Sequence, residues 1–381
     1  MRTPYYQYDL GLLKETLGQI RSTTECHRDW HVHYAIKANA NPLLLDVIRG
    51  YGLGIDCVSG GEIQKALDNG FDAGSIVFAG VGKADWEIDL ALEKGIACFN
   101  VESEAELDVI AERCHALEKT ARIAFRVNPD IDAHTHSNIT TGKAENKFGI
   151  EIPMLEPIIR KALSSNVLVF EGLHFHIGSQ ITDMEIFRQL CLKINRLQDE
   201  LETKGIRCSS INVGGGLGVD YEDPQHNSIP DFQAYFTVFA DTLELRPGQQ
   251  LHFELGRAVV AQCGRLVTSV LYVKQGTIKK FAIVDAGMTE LIRPALYGAR
   301  HRIINLTSDL PQEKYDVVGP ICESSDVFDK DIMLPATRRG DLLAILSAGA
   351  YGETMASCYN CRTLPGSEPC DDLSEAPDCS Y

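Results

Sequence analysis

Short apolar runs alternate with amphipathic segments through the first two thirds of the chain and predict a repeated strand–helix unit. The runs are continuously apolar, which is typical of parallel strands buried on both faces. The predicted strands span residues 31–37, 53–58, 75–79, 97–101, 122–127, 168–176, 210–213 and 251–254. The predicted helices between them span residues 42–51, 61–69, 84–94, 103–117, 154–164, 184–204 and 232–243. This rhythm favours an α/β fold, a (β/α)8 barrel, over the alternative of an open doubly wound sheet, because no glycine-rich turn follows the first strand.

The pattern changes near residue 259, where strand-like runs follow one another with turns between them. These runs span residues 265–274, 280–286, 315–318, 332–334 and 342–345. We therefore predict a barrel domain over residues 26–257. We also predict a C-terminal all-β domain that combines residues 1–25 with 258–364 and takes the N-terminal strand near Tyr5. Residues 365–381 are polar, acidic and rich in turn residues, and we expect a disordered tail there.

The charge, the apolar runs and the cysteines of the chain exclude some classes of function. The formal charge of −17 argues against nucleic acid or an anionic membrane surface as the main partner. The sequence contains no apolar run of about 18 residues and no signal-peptide pattern, so we expect no membrane span. The 12 cysteines are mostly isolated in apolar or helical segments, which suits free thiols in a reducing cytoplasm.

Lys37 is the first candidate for chemistry, because it ends a mostly apolar predicted strand. Burial disfavours the ammonium form, and a lysine in such a place can become a nucleophile that forms a Schiff base. The alternative is a lysine whose charged head simply reaches water at the end of the strand.

The ends of other predicted strands add compatible groups, because functional residues of such barrels lie at the C-terminal ends of the strands. Asp56 lies near the end of the second strand, His176 ends the sixth, and Glu254 ends the eighth. The glycine run at residues 214–218 follows the seventh strand, where backbone amides can approach a phosphate closely. The alternatives are a flexible turn for the glycines, a core histidine for His176 and a structural ion pair of Glu254 with Arg257.

Together these groups suit pyridoxal phosphate (PLP). An acid can keep the pyridine nitrogen protonated, and the protonated ring then acts as an electron sink. Nucleotide-binding motifs fit less well, because Gly80–Lys83 lacks the spacing of a phosphate-binding loop and Val219 replaces the last glycine of a dinucleotide motif.

From about Tyr5 to Arg362 the chain resembles the PLP-dependent decarboxylases with an alanine-racemase-like barrel, in particular the branch that acts on diaminopimelate. The resemblance lies in six stretches of sequence, at residues 34–39, 134–149, 176–180, 214–218, 254–257 and 291–297, and in a seventh at residues 322–326. It implies decarboxylation of meso-2,6-diaminopimelate to L-lysine, the last step of lysine biosynthesis, by a carbon–carbon lyase.

The resemblance also implies a role for each matching residue. Lys37 would bind PLP covalently, and His176 would stack on its ring. Around the cofactor it places Asp56, Ser179, Gly214, Gly215, Gly216, Glu254, Gly256, Arg257 and Tyr351. Around the substrate it places Arg257, Arg293, Tyr297, Glu323 and Tyr351. Cys322, as proton donor, and Glu323 would reach the active site of the other subunit, which implies an obligate homodimer.

Physical reasoning agrees with a substrate that carries a second amino-acid head group. The distal carboxylate needs a binder, and arginine offers a planar bidentate fork for it. A decarboxylase for ornithine or lysine must instead hold a distal ammonium.

The chain departs from the family pattern in two places. Leu255 replaces a proline that is usual in the strand-eight motif, although Glu254 and Arg257 are retained. The tail brings Cys370 and Cys379 near Cys358 and Cys361 in sequence, which could indicate zinc. We expect no metal, because the resemblance assigns the segment with Cys358 and Cys361 to the edge of the active site.

Two alternatives remain open. One is a decarboxylase for another basic amino acid or for carboxynorspermidine. The other is a non-catalytic relative that acts as a binding protein, although such relatives often lose the lysine or the cysteine that this chain retains.

Overall fold

The structure is a computed structural model that describes residues 2–131 and 147–373. Residues 134–136 and 141–143, which contribute to the family resemblance, lie outside the described residues. The helices and strands in chain order are β1 (Tyr5–Asp9), α1 (Leu10–Thr24), β2 (Trp30–Ala35), α2 (Pro42–Gly50), β3 (Gly54–Cys57), α3 (Gly60–Asp68), β4 (Ile76–Phe78), α4 (Asp85–Lys94), β5 (Cys98–Val101), α5 (Glu104–Leu117), β6 (Ala121–Asn128), β7 (Ile150–Glu151), α6 (Ile152–Leu163), β8 (Leu168–His174), α7 (Met184–Thr203), β9 (Ser210–Asn212), α8 (Phe232–Thr242), β10 (Gln250–Leu255), α9 (Arg257–Val260), β11 (Gly264–Gln275), β12 (Lys280–Val284), α10 (Arg293–Tyr297), β13 (Ile303–Asn305), β14 (Gln312–Val318), β15 (Val327–Pro335), β16 (Leu342–Ile345) and β17 (Gly366–Cys370).

The described residues form two compact units, and the first of them is the barrel. It comprises Leu17–Gly218 and Asp231–Gly256. Eight parallel strands of the described chain follow the spatial order β5-β4-β3-β2-β10-β9-β8-β6, and pairing of β5 with β6 closes the ring. The predicted (β/α)8 barrel is confirmed.

Side-chain caps fix the starts of several barrel helices. The side chains of Asn41, Ser59, Ser103, Asp183 and Asp231 accept hydrogen bonds from backbone N–H groups in the first turn of the helix that follows. Such caps satisfy donors that a helix leaves without partners at its N-terminus. The segments between strand ends and helices are therefore held in defined positions, and the candidate chemistry lies there.

The second unit is β-rich and comprises Met1–Thr16, Val219–Pro230 and Arg257–Tyr381. Its described strands form a mixed sheet in the order β13-β16-β11-β12-β14-β15. The N-terminal strand β1 pairs antiparallel with β11, with Tyr5 opposite Val267. The prediction that the β-rich domain takes the first strand is confirmed.

The boundaries of the two units differ from the predicted ones in three places, the smallest being Arg257, which belongs to the β-rich unit and not to the barrel. The end of α1 belongs to the barrel unit, because this helix runs from Leu10 to Thr24 and its later turns bury Leu17 and Ile20. Val219–Pro230 belongs to the β-rich unit, although it lies between two barrel strands in sequence.

The expectation of a disordered tail from residue 365 is wrong for its first residues. Gly366–Cys370 forms β17, which pairs parallel with β1 in the register Tyr5–Gly366 to Asp9–Cys370. Backbone hydrogen bonds create this strand, and they depend little on whether the side chains are apolar. Residues 374–381 lie outside the described part of the chain.

Candidate active site

Lys37 and Asp56 form an ion pair at the C-terminal ends of neighbouring barrel strands. Lys37 was expected to end a strand, but β2 ends at Ala35 and the lysine lies in the 3₁₀ turn Ile36–Ala38 that follows. Its Nζ donates to Asp56 Oδ2 at 2.8 Å. The Lys37 side chain is 36% exposed, whereas that of Asp56 is 1% exposed.

Burial, followed by the negative charge of Glu254, raises the pKa of Asp56 to about 7, and Lys37 opposes the rise. A carboxylate with a pKa near neutrality can accept a proton from the lysine beside it. The second oxygen of Asp56, Oδ1, is buried and has no hydrogen-bond partner among the described residues. The pair therefore offers a reactive amine, a proton acceptor and an unused acceptor atom.

Glu254 is the buried acid of this unit. Its Oε1 accepts hydrogen bonds from Asn212 Nδ2 at 2.8 Å and from Asn100 Nδ2 at 3.2 Å, and its Oε2 lies 3.0 Å from His174 Nε2. Burial alone would raise the pKa of Glu254, but the interactions with His174 and then Lys37 outweigh burial and hold the pKa well below its usual range. The carboxylate is therefore ionised, and about one of its four lone-pair sites remains open to a further donor.

The glycine run follows β9 and makes a tight turn. Gly214 and Gly216 have φ values of +70° and +108°, which favour glycine. A Cβ on Gly215 would lie 1.9 Å from the Glu254 carbonyl oxygen, so a side chain has no room there. The Gly214 N–H donates to Asn212 Oδ1 at 2.9 Å, which ties the turn to a residue that also holds Glu254.

His176 lies two residues beyond the end of β8 and accepts a hydrogen bond at Nδ1 from the Gly215 N–H, with the two nitrogens 3.4 Å apart. Burial, then the charges of Arg126 and Lys37, lower the pKa of His176 to about 3. The ring is therefore neutral near pH 7, and a neutral ring suits stacking on a flat cofactor. The barrel unit thus brings Lys37, Asp56, His176, Glu254 and the glycine run into one connected set.

The β-rich unit holds a separate cluster of two buried arginines. Arg257 and Arg293 are each 5% exposed. Arg257 Nη1 donates to Tyr221 Oη at 2.7 Å. The Arg293 guanidinium lies 5.3 Å from the centre of the Tyr221 ring, so this tyrosine contacts both arginines.

The other partner of Arg293 is also neutral. Its Nε donates to His301 Nε2 at 3.3 Å, while His301 Nδ1 lies 2.9 Å from the Leu346 carbonyl oxygen and donates to it. Burial, then the charge of Arg293, lower the pKa of His301 to about 3, so the imidazole does not compete with the arginine for an anion. Among the described residues no acidic side chain pairs with Arg293. An uncompensated buried guanidinium is a strong carboxylate site.

The remaining predicted site residues in this unit fall into two groups. Tyr351 lies under Arg257, with 5.0 Å between the guanidinium and the ring centre, and Tyr297 ends the short helix α10 that Arg293 begins. Cys322 and Glu323 are exposed in a turn segment, where Glu323 accepts a hydrogen bond from Tyr359 Oη at 2.8 Å. In the barrel unit, Ser179 is half-buried in the segment after His176, and the half-buried Gly256 directly follows β10.

Sequence reasoning missed five residues with clear structural roles: His174, Asn100, Asn212, Tyr221 and His301. For His174, Asn100 and Asn212 the sequence offered one signal. Alternate residues of a strand face the same side, so His174 shares a face with His176, and polar residues facing the interior of an apolar barrel are unusual. Tyr221 and His301 lie in segments without periodicity, and only the fold brings them to the arginines.

Comparisons with known proteins agree with this geometry. Residues 13–261 match the family model described as the pyridoxal-binding domain of pyridoxal-dependent decarboxylases. The chain is 60% identical over 373 residues to the diaminopimelate decarboxylase of Bacteroides thetaiotaomicron, covering 98% of this chain and 97% of that one.

Solved structures give the same result. The structure of diaminopimelate decarboxylase from Helicobacter pylori complexed with L-lysine matches with a TM-score of 0.91 at 40% identity, covering 97% of this chain and 92% of that chain. The diaminopimelate decarboxylase of M. jannaschii in complex with L-lysine matches with a TM-score of 0.88 at 35% identity, covering 96% and 87%.

The barrel and its connected set of lysine, acid, histidine and glycines define the class of pyridoxal-dependent decarboxylases. Within that class, the chain belongs to the diaminopimelate decarboxylase family.

The described residues fit PLP. Lys37 provides an amine, Asp56 Oδ1 is a buried acceptor without a partner, and Glu254 is ionised with an acceptor site to spare. The N–H groups of Gly214 and Gly215 donate to Asn212 and His176, so the role of this turn in phosphate binding stays a prediction. PLP is therefore the cofactor of this chain.

Proposed function

We propose that this chain decarboxylates meso-2,6-diaminopimelate to L-lysine and carbon dioxide, with PLP bound at Lys37. The observation that supports this substrate is the arginine cluster: Arg293 is buried, is held by a neutral tyrosine and a neutral histidine, and keeps its charge available. A substrate with a second carboxylate would make use of such a charge.

Each barrel residue has a defined task in this proposal. Asp56 Oδ2 accepts the proton of Lys37 Nζ, which leaves the amine neutral for covalent attachment of the cofactor. The ionised carboxylate of Glu254 would accept a hydrogen bond from a protonated pyridine nitrogen, and the neutral ring of His176 would be available to stack on the cofactor. Bound PLP then supplies an electron sink for the bond to the leaving carboxylate.

The β-rich unit supplies substrate recognition. We assign Arg257, Arg293, Tyr297 and Tyr351 to the distal amino-acid head of the substrate, and the resemblance also assigns Arg257 and Tyr351 to the cofactor. Ser179, Gly256 and the glycine run of the barrel unit are assigned to the cofactor in the same way.

We also propose a homodimer in which Cys322 and Glu323 of one subunit serve the active site of the other. Both side chains are exposed on the isolated chain, as residues that reach a partner must be. Cys322 donates a proton to the α-carbon after carbon dioxide leaves, and Glu323 contacts the substrate.

Two observations bear on location. Within the described residues no helix is long and apolar enough to cross a bilayer. The described cysteines are all free thiols. We propose that the enzyme works in a reducing cytoplasm.

Carbon dioxide release from four substrates tests the proposed function. The purified holoenzyme is given meso-diaminopimelate, ornithine, lysine or carboxynorspermidine at equal concentrations. We expect turnover of meso-diaminopimelate to exceed that of the others by at least about 100-fold, the size of effect expected when a buried charge loses its partner. Faster turnover of ornithine or carboxynorspermidine would overturn the substrate assignment.

A further inference from the structure

Three strands of the barrel each send one polar side chain to Glu254. His174 comes from β8, Asn212 from β9 and Asn100 from β5. Asn100 and His174 are each 1% exposed, Asn212 is 5% exposed and Glu254 is 6% exposed. All four groups are therefore removed from water and depend on one another for hydrogen bonds.

Burial of these four polar side chains is unfavourable in free energy unless hydrogen bonds compensate for it. The interior of this kind of barrel is normally filled by branched apolar side chains. Burial of amide, imidazole and carboxylate groups costs several kcal/mol when any of them lacks a partner. The donors here converge on one carboxylate, so they serve to hold that carboxylate.

The two oxygens of Glu254 are not held equally. Oε1 accepts from two amides, whereas the donor to Oε2 among the described residues is His174 alone, at 3.0 Å. An ionised carboxylate is only an acceptor, so the Nε2 atom of His174 bears the proton. His174 Nδ1 is buried and has no hydrogen-bond partner among the described residues, so Nε2 makes the hydrogen bond of this ring.

We propose that His174 is the positioning residue for Glu254: its Nε2–H fixes the orientation and the ionised state of the carboxylate that faces the pyridine nitrogen of the cofactor. This inference rests on the proposed function, because Glu254 needs a fixed charge only if it serves PLP. Asn212 extends the effect, since the same amide side chain holds both Glu254 and the Gly214 N–H.

Three substitutions of His174 distinguish a residue that positions Glu254 from one that only fills space in the barrel. In His174→Gln the side-chain amide can reach the place of Nε2, in His174→Asn it reaches only the place of Nδ1, and His174→Leu has no donor. His31→Gln is the matched control. His31 is a half-buried histidine near the N-terminal end of β2, whereas Lys37 follows the C-terminal end of that strand.

Two readouts do not depend on turnover. The first is the dissociation constant of PLP from the resting enzyme, and the second is the pH dependence of the visible absorption of bound PLP. We expect His174→Leu and His174→Asn to weaken PLP binding by about 10-fold or more and to shift the pH midpoint of the absorption change. His174→Gln and His31→Gln should stay close to the wild type in both.

Steady-state kinetics with meso-diaminopimelate provide the third readout. His174→Leu and His174→Asn should lower kcat by about 10- to 100-fold with little change in KM, because the effect lies on the cofactor and not on substrate binding. If His174→Leu does not fold, the comparison of His174→Asn with His174→Gln decides the question.

Failure of this inference is distinct from failure of the proposed function. A wild-type enzyme that turns over meso-diaminopimelate while His174→Asn and His174→Gln behave alike would overturn the positioning role only. A wild-type protein that binds no PLP would overturn both.

Discussion

At the scale of single residues, the proposed recognition of a distal carboxylate depends on Arg293, which has no acidic partner among the described residues. Tyr221 offers its hydroxyl to Arg257 and its ring face to Arg293. A ring face stabilises a cation without neutralising it. An aspartate in the same place would form an ion pair and leave less attraction for a substrate carboxylate.

Substitution Tyr221→Phe tests this arrangement. It removes the hydroxyl that accepts from Arg257 Nη1 but retains the ring, so Arg257 is held less firmly. We expect KM for meso-diaminopimelate to rise by about 10-fold or more, equivalent to the loss of one hydrogen bond to a charged group, with kcat nearly unchanged. Tyr272→Phe, at a tyrosine that is 57% exposed in the same unit, is the control. Equal KM values for the two variants would contradict the role of Tyr221.

Residues at strand ends could be predicted from sequence, and residues that support them could not. Lys37, His176 and Glu254 stand at the ends of apolar runs, where their chemical type is informative. His174 and Asn212 lie inside the runs, and their importance depends on which strands become neighbours, since β8, β9 and β10 lie side by side. Closure of the barrel brings Asn100 of β5 to the same carboxylate.

At the scale of elements, the turn after β9 is tightly constrained. Gly215 lies against the Glu254 carbonyl, and the Glu254 N–H in turn donates to the Gly214 carbonyl at 2.7 Å. The turn and the start of the strand-eight motif are therefore one packed unit.

Substitution Gly215→Ala should disrupt this unit. A Cβ 1.9 Å from a backbone oxygen forces the turn away from β10, and we expect about 1–3 kcal/mol of destabilisation together with loss of bound PLP. Thermal unfolding and PLP content after dialysis measure the two effects. Gly82→Ala is the control, because a Cβ there would meet no atom within 4 Å. A Gly215→Ala variant that retains PLP and melts like the control would contradict the tight packing of this turn.

Histidines inside the barrel make its stability depend on pH. His33 Nε2 and His252 Nδ1 lie 3.0 Å apart on the neighbouring strands β2 and β10. Burial lowers the pKa of His33 to about 4, and Glu254 and His31 modify that value. Burial, then the neighbouring His33 and His31, lower the pKa of His252 to about 3.

The sign of this dependence follows from proton uptake. Between pH 6.5 and about 4 the unfolded chain protonates these histidines and the folded chain does not, so acid favours unfolding. Stability should be constant from this source above pH 6.5 and should fall below it, by up to about 3 kcal/mol for a single pKa shift of this size. Urea unfolding followed by tryptophan fluorescence at several pH values measures it, since Trp30 and Trp86 both belong to the barrel unit.

His252→Gln should reduce the acid dependence between pH 6.5 and 4. His226→Gln should not reduce it, because Asp223 raises the pKa of the exposed His226 side chain, a shift opposite in sign to that of His252. An unchanged pH dependence in His252→Gln would show that these histidines titrate alike in the folded and unfolded chain.

How well a helix or strand could be predicted from the sequence depends on its length and on its burial. The buried barrel strands are mostly apolar, and their observed ends differ from the predicted ones by a few residues at most. The helix α10 has five residues, too few to show a helical period, and the strand β17 contains Pro369 and polar residues at a sheet edge. Both elements exist because of tertiary contacts and left no pattern in the sequence.

At the scale of the whole molecule, the proposed dimer has a consequence that a monomer cannot share. If Cys322 serves the active site of the partner, each site combines Lys37 of one subunit with Cys322 of the other. Lys37→Ala and Cys322→Ala therefore remove residues that different subunits contribute to a site. A heterodimer of the two variants would then contain one intact site and one doubly defective site.

Mixing the two inactive variants tests shared sites. After dissociation and random reassociation of equal amounts, half of the dimers are mixed, so activity should recover to about a quarter of the wild type. Separate affinity tags on the two variants confirm that mixed dimers form. Mixed dimers without activity would contradict the assignment of Cys322 to the partner's site.

Every role proposed for the barrel unit depends on Lys37 as the attachment point of PLP. Reduction of the holoenzyme with borohydride, followed by peptide mass spectrometry, tests this directly. We expect a reduced pyridoxal-phosphate adduct on Lys37 and loss of that adduct in Lys37→Ala. An unmodified Lys37 in a PLP-saturated enzyme, or an adduct on another lysine, would contradict the assignment.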